Sequence, residues 1–260
     1  MEDFRKEVME TVRGLRLIDD VFFRLIGERK DVVEEILRTL LDEKDLVVIE
    51  CSTQKVISNL FRGVTLDALC ELKDGRYVNV EVQKDSGNDD IRRCRFHQSI
   101  ITAKVTPKGT KFKDIPDVVV IYITGYDALK NGQAITCAEM CQLVNGIYQP
   151  LDDGAKTIYA NTVINDGTDQ SELLALFEKR DTFNNTKFPK LSEAIKYYKD
   201  DEKGAGSMCN SVEELANIYA KEQINDALID VAKNLIIQGL SDEQIALATG
   251  LTPEAVHDLR

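Results

Sequence analysis

The sequence has only two histidines among 260 residues and no long apolar run. A membrane-spanning helix needs roughly 20 consecutive apolar residues, so we expect no membrane segment. The first residues, MEDFRKEVMETVRGLRL, are charged and lack an apolar stretch, so we also expect no secretory signal. Neither histidine lies near Cys137 or Cys141 in sequence, which argues against a structural zinc site at that pair.

The chain does not have the density of cysteines that staples a small secreted protein. Six cysteines are scattered through a chain that is 43% hydrophobic and 30% charged, the composition of an ordinary globular protein. A chain of this length can bury a full core without disulfides. We therefore expect reduced thiols and a cytoplasmic location.

Positive charge is in short supply, since 33 Lys and Arg face 45 Asp and Glu and the net charge is −12. This balance argues against a simple nucleic-acid binder, because phosphate contacts supply most nonspecific affinity. One stretch, residues 91–113, holds seven basic residues and no acid. They are Arg92, Arg93, Arg95, Lys104, Lys108, Lys111 and Lys113. The stretch is either a solvated helix face or the place where a polyanion binds.

Hydrophobic periodicity predicts alternating helices and strands. We predict helices over 2–17, 31–41, 91–105, 171–180, 191–199 and 211–238, and strands over 45–50, 64–72, 76–83, 118–124 and 158–163. The polar, glycine-containing segment 200–210 is the predicted linker, and Ser211 with Glu214 fits a capping box for the helix after it. The segment 239–260 is predicted to form two short helices that break at Gly250.

Strands 64–72 and 76–83 form a predicted β-hairpin with two competing registers. A two-residue loop would place each valine of the second strand against the polar face of the first. A three-residue loop, Lys73-Asp74-Gly75, instead pairs Leu66 with Val82 and aligns the apolar faces. The second register is therefore preferred.

This register sets Asp67 directly across from Glu81, with Cβ atoms about 5 Å apart. Two carboxylates at that distance repel unless a cation lies between them, and a hard divalent ion such as Mg²⁺ suits oxygen ligands. From the hairpin alone, a solvated acidic sheet face remains an alternative.

The hairpin GVTLDALCELKDGRYVNVEVQ resembles the D…ExQ core of the Rpn-type recombination-promoting nucleases and the PD-(D/E)XK nuclease family transposases. The resemblance implies that Asp67 and Glu81 bind the metal, with the Val82 carbonyl as a further ligand. Gln83 occupies the position that is lysine in the common form of the superfamily, and would orient the attacking water.

The resemblance extends over most of residues 15–205. The segment IDDVFFRLIG is similar to a D-x-x-F-K motif and implies Asp20 as an extra ligand or water-orienting group. The segment RRCRFHQSII is similar to the arginine-rich helix of the family. It implies DNA-backbone contacts by Arg92, Arg93, Arg95 and Gln98, whereas His97 in the same helix is more typical of a structural residue or a phosphate contact than of a general base.

The implied fold is α/β: a restriction-endonuclease-like αβββαβ core with a mixed sheet and a helical C-terminal appendage. We expect a nuclease-like domain over 1–200 and a helical region over 211–260. The implied activity is that of a Mg²⁺-dependent DNA endonuclease, with Mn²⁺ as a substitute, from a bacterial mobile element or recombination system. Alternatives are an inactive DNA-binding accessory protein and a protein–protein interaction module. DNA is the expected partner, and a homodimer is compatible with the sequence.

The C-terminal segment GLSDEQIALATGLTPEAVHDLR resembles a short helix-turn-helix. Ser241 and Thr252 are predicted N-caps, and Pro253 would open the last helix. Glu254 and Asp258 make that helix acidic, so packing or oligomerisation and DNA reading both remain open roles.

Overall fold

The computed structural model of the chain describes residue 10 and residues 13–57, 64–87 and 90–260. Within these ranges it describes every side chain except those of Gln54, Met208 and residues 211–226. The chain divides into two compact units, one ending at Cys209 and the other beginning at Asn210. The helix predicted over 2–17 falls mainly outside the described residues.

The first unit contains a sheet surrounded by helices. The strands are β1 (Val48–Ile57), β2 (Val64–Leu72), β3 (Tyr77–Gln83), β4 (Val118–Thr124), β5 (Ile135–Glu139), β6 (Cys141–Val144), β7 (Ile147–Pro150) and β8 (Ala155–Asn161). The helices are α1 (Asp20–Gly27), α2 (Lys30–Leu40), α3 (Asp90–Val105), α4 (Asp169–Leu176) and α5 (Pro189–Asp200), with a 3-10 turn at Phe112–Asp114. Helix α6 (Glu202–Ile237) begins in this unit, and α7 (Asp242–Thr249) and α8 (Pro253–His257) follow in the second.

The main sheet has six strands in the order β1-β2-β3-β4-β8-β5, and β6 pairs with β7 in a separate exposed hairpin. Strands β1, β2 and β3 pair antiparallel, β3-β4 and β4-β8 pair parallel, and β5 pairs antiparallel with β8. Helix α3 connects β3 to its parallel neighbour β4, as a parallel crossover requires. The predicted α/β fold with a mixed αβββαβ core is confirmed.

The predicted hairpin register is confirmed. Ala68 pairs with Val80 and Cys70 with Val78. The Leu72 N–H donates to the Arg76 carbonyl across a three-residue loop. Gly75 has φ +90° there, a conformation that glycine adopts without steric cost.

Both faces of this sheet are covered. Helix α1 contacts β1 and β2, and α2 contacts β1, while the apolar side chains of the hairpin from Leu66 to Val82 are buried. On the other side, Ile100 and Ile101 of α3 pack with Leu69 and Val118. Three polar side chains of β2 and β3, those of Asp67, Asn79 and Glu81, are buried, whereas Thr65 is exposed.

The prediction of a short buried strand over 45–50 is wrong in extent and burial. Strand β1 begins at Val48 and continues to Ile57. Val47 and Ile49 are 37% and 52% exposed. The physical reason is the position of β1 at the sheet edge, where among the described strands only β2 pairs with it and the opposite side has no neighbouring strand.

The segment predicted as a linker, 200–210, contains the boundary between the two compact units but is wrong in conformation, since it is helical. Helix α6 runs through this segment from Glu202, and Asp201 accepts the N–H groups of Lys203 and Gly204 at the helix start. Because the helix is already formed there, Ser211 does not begin it. Gly204 serves close packing, since a Cβ at this position would overlap the Tyr197 carbonyl oxygen of α5.

The second unit contains the two predicted terminal helices. Ser241 and Gln244 form a reciprocal capping box, and Thr252 caps α8 through the Ala255 N–H. Gly250 adopts φ +75° at the end of α7. These caps are as predicted, and the helices enclose a small core of Ala232, Ile245 and Val256.

In the part of the chain that the structure describes, no helix is both long enough and apolar enough to span a bilayer.

The packing at Gly204 leads to a stability prediction. Gly204→Ala should destabilise the protein by about 1–3 kcal/mol, the usual cost of overpacking. Gly206→Ala is the matched control on the same helix, because a Cβ there meets nothing within 4 Å. It should instead stabilise by about 0.5–1 kcal/mol. Urea denaturation of the two variants measures the difference, and equal stabilities would contradict the packing argument.

Candidate active site

A cleft of about 840 Å³ lies where α1, the start of β2, the end of β3 and α3 meet. Its lining includes five acidic and five basic side chains. The acidic ones are Asp19, Asp20, Asp67, Glu81 and Asp85, and the basic ones are Arg24, Lys84, Arg92, Arg93 and Arg95. The cleft is therefore balanced in charge, although the whole chain has a net charge of −12.

Asp67 and Glu81 lie in this cleft together. They are 6% and 7% exposed. Burial raises the pKa of the Asp67 carboxyl well above its usual range, and the Glu81 and Asp20 carboxylates raise it further. The two side chains thus share one side of the sheet and interact electrostatically, as the hairpin register predicts.

The strands separate just beyond the last paired residues of the hairpin, Ala68 and Val80. In place of a ladder hydrogen bond, the Val82 N–H donates to Asp67 Oδ2 at 3.0 Å. The Gln83 carbonyl accepts from the Gly125 N–H, so the backbone of Gln83 faces the β4 side. Backbone groups alternate along a strand, and the Val82 carbonyl therefore faces the same side as the Asp67 carboxylate.

Helix α1 brings Asp20 and Arg24 to the same carboxylate. Arg24 Nε donates to Asp20 Oδ1 at 2.7 Å and lies 3.7 Å from Asp67 Oδ1. The two α1 residues are four apart and so lie on one helix face. Arg24 therefore links the predicted extra acid, Asp20, to Asp67.

Glu81 is contacted by two other buried side chains. Asn79 Nδ2 donates to Glu81 Oε1 at 2.7 Å. His97 of α3 places Nδ1 3.4 Å from the same oxygen. Sequence reasoning did not single out Asn79, although its position two residues before Glu81 puts it on the same strand face.

Gln83 and Lys84 lie at the end of β3. Gln83 Nε2 donates to the Asp85 carbonyl at 2.9 Å. Because β3 ends at Gln83, Lys84 escapes the strand alternation that would turn it to the apolar face. It lines the cleft and approaches Asp19 Oδ1 to 3.2 Å.

Helix α3 presents Arg92 and Arg95 to solvent at the cleft and keeps Arg93 half-buried. Its first residue, Asp90, is buried and accepts hydrogen bonds from the hydroxyls of Tyr122 and Tyr126. These bonds anchor the beginning of the helix against the sheet and so hold the arginine side chains beside the carboxylates.

Gln98, which was predicted to contact DNA, is half-buried in the same helix and does not line the cleft. Its Nε2 donates to the carbonyls of Val118 and Lys156, both at 3.1 Å. The amide thereby ties α3 to the beginning of β4 and of β8. These two bonds hold the amide against the sheet, although Gln98 follows Arg95 by only three residues of the helix.

The model of the PD-(D/E)XK nuclease family transposases matches residues 16–163, more than half of the chain. The chain belongs to this family. Neither a curated protein nor a solved structure matches it. The match spans α1 through β8 and therefore includes every element that lines the cleft.

Proteins of the PD-(D/E)XK superfamily generally use divalent metals. Among the residues that the structure describes, no group of three or more His, Cys, Asp or Glu side chains is arranged to hold a metal. The cleft instead brings together two carboxylates, those of Asp67 and Glu81, beside the backbone of Val82.

Asp67→Asn tests the electrostatic state of the metal-free cleft. The raised pKa means that the native state holds the Asp67 proton more tightly than the unfolded chain, whose Asp pKa is about 3.9. Ionised Asp67 therefore destabilises the fold increasingly as pH rises above that value. The neutral amide removes this penalty, and its oxygen can still accept the Val82 N–H.

In EDTA at pH 8 the Asp67→Asn variant should therefore melt at a higher temperature than wild type, with the difference shrinking as pH falls toward 4. Asp114→Asn, at an exposed acid outside the cleft, controls for the loss of one negative charge. A variant that melts no higher than wild type at pH 8 would contradict the raised pKa.

Proposed function

We propose that this chain is a Mg²⁺-dependent DNA endonuclease that hydrolyses phosphodiester bonds in transposition or recombination. The observation that supports this most strongly is the convergence of Asp67 and Glu81 in one cleft beside the arginines of α3. A solvated acidic face would not explain it, because both carboxylates are almost fully buried.

The donors fit a hard divalent cation. Mg²⁺ keeps several waters and is usually held by one or two carboxylates, so a third acidic side chain is not required. Asp67, Glu81 and the Val82 carbonyl would hold it, and Mn²⁺ would substitute. The bound cation would lower the pKa of a coordinated water and stabilise charge on the phosphate.

Other residues of the cleft would bind the DNA backbone and orient the attacking water. Arg92 and Arg95 lie exposed at the cleft and would hold the phosphate backbone by charge-assisted hydrogen bonds, with Arg93 beside them. Gln83 would orient the attacking water through its amide, since it has no charge to contribute. Asp20 would act beside Asp67, the carboxylate to which Arg24 links it.

Nicking of supercoiled plasmid in Mg²⁺ or Mn²⁺ tests the activity. Asp67→Ala should reduce the nicking rate by at least about 100-fold, a usual loss when one group that stabilises transition-state charge is removed. Glu71→Gln is the matched control. Glu71 lies four residues from Asp67 on the same strand, and therefore on the same face, but outside the cleft. This variant should nick at the wild-type rate.

One observation favours the alternative of an inactive DNA-binding accessory protein. Gln83 stands at the superfamily's lysine position, and its amide is already engaged by the Asp85 carbonyl. DNA binding by wild type without metal-dependent nicking would support this alternative and contradict the enzymatic proposal.

Binding to DNA is tested separately by a gel shift in EDTA over a range of salt concentrations. The double variant Arg92→Ala/Arg95→Ala should bind more weakly, and the slope of log K against log salt should fall by about 2. Lys104→Ala/Lys108→Ala removes two charges from the same basic stretch outside the cleft and should change the slope less. Salt-independent binding, or none, would support a protein–protein interaction module.

A further inference from the structure

Glu81 differs from Asp67 in being flanked by two buried polar side chains from different elements. Asn79 is fully buried in β3, and its Nδ2 donates to Glu81 Oε1 at 2.7 Å. His97 is 7% exposed in α3, and its Nδ1 lies 3.4 Å from the same oxygen. Strand β3 therefore supplies one contact to the Glu81 carboxylate, and helix α3 supplies the other.

These two side chains are not explained by stability. Within the described residues, Asn79 Oδ1 and His97 Nδ1 are buried without a hydrogen-bond partner. A buried polar atom without a partner costs about 1–3 kcal/mol, and apolar side chains of similar shape would avoid that cost. Buried polar atoms left unpaired beside an acidic cleft are typical of a functional site.

The geometry indicates that Asn79 and His97 act on the same oxygen atom of Glu81. Both contacts reach Oε1 of Glu81, and neither involves Oε2. The 3.4 Å separation at His97 is too long or misaligned for a good hydrogen bond, but a small shift would complete it. Catalytic hydrogen bonds in unliganded sites are often long and tighten when the site is occupied.

We propose that Asn79 and His97 are positioning residues that fix the Glu81 carboxylate through Oε1 and leave Oε2 to bind the divalent cation. The inference rests on the proposed function, since it assigns a role toward the metal. Side chains that orient a metal ligand usually change metal affinity or activity by 10–100-fold when they are removed.

Calorimetric titration of Mn²⁺ into the full chain tests this role directly. Asn79→Val and His97→Phe remove the donors, and each should raise the Mn²⁺ dissociation constant by about tenfold. His97→Gln restores an amide donor and should recover part of the affinity. In plasmid nicking, the Mn²⁺ concentration for half-maximal rate should rise in parallel, with KM for DNA unchanged.

Asn161→Val is the matched control, because Asn161 is a buried asparagine of the same sheet that accepts from the Val163 N–H outside the cleft. It should bind Mn²⁺ as wild type does. A melting curve in EDTA checks that each variant is folded, and if Asn79→Val does not fold, the His97→Phe and His97→Gln pair decides the question.

Two outcomes separate this inference from the proposed function. Wild-type Mn²⁺ affinity in Asn79→Val and His97→Phe, with binding lost in Asp67→Ala, would overturn the positioning role and leave the metal site standing. Absence of Mn²⁺ binding by wild type would overturn the metal site itself, and the positioning role with it.

Discussion

The repulsion between the buried carboxylates of Asp67 and Glu81 is the constraint around which the cleft is built. Both are removed from solvent on one side of the sheet, where the pKa of Asp67 is raised. Ionised together, they would destabilise the fold in the absence of a positive charge. Arg24 on one side and the arginines of α3 on the other supply compensating charge nearby.

Helix α3 connects the acidic pair to the rest of the fold, because it packs on the sheet and also carries side chains that line the cleft. Its inner face packs Ile100 and Ile101 onto the sheet, while its outer face carries exposed arginines at the cleft. Two sets of hydrogen bonds hold the helix in place. Asp90 at its first residue accepts from two tyrosine hydroxyls, and Gln98 farther along donates to two strand carbonyls. One crossover helix thus covers the sheet and brings basic side chains to the acidic pair.

Local sequence patterns were sufficient to predict the structure where one energetic preference dominated. Matching two apolar faces across the Lys73-Asp74-Gly75 loop selects a single register, because a slip of one residue would expose a whole face. Prediction from the sequence was wrong where glycine was read as a sign of a break in the helix. The glycine-containing segment before Ser211 forms helix, and its Gly204 instead allows close approach to the Tyr197 carbonyl, which a Cβ would overlap.

From the sequence alone it was possible to determine the fold class, the hairpin register and the placement of Asp67 and Glu81 on one side of the sheet, because strand alternation and turn chemistry are local. The tertiary structure decided that α3 buries the acidic pair, that Gln98 faces the sheet, and that Lys84 enters the cleft. It also decided that Asn79 and His97 meet at one oxygen of Glu81. Such contacts depend on how a helix is rotated and seated on a sheet, which packing over the whole unit determines.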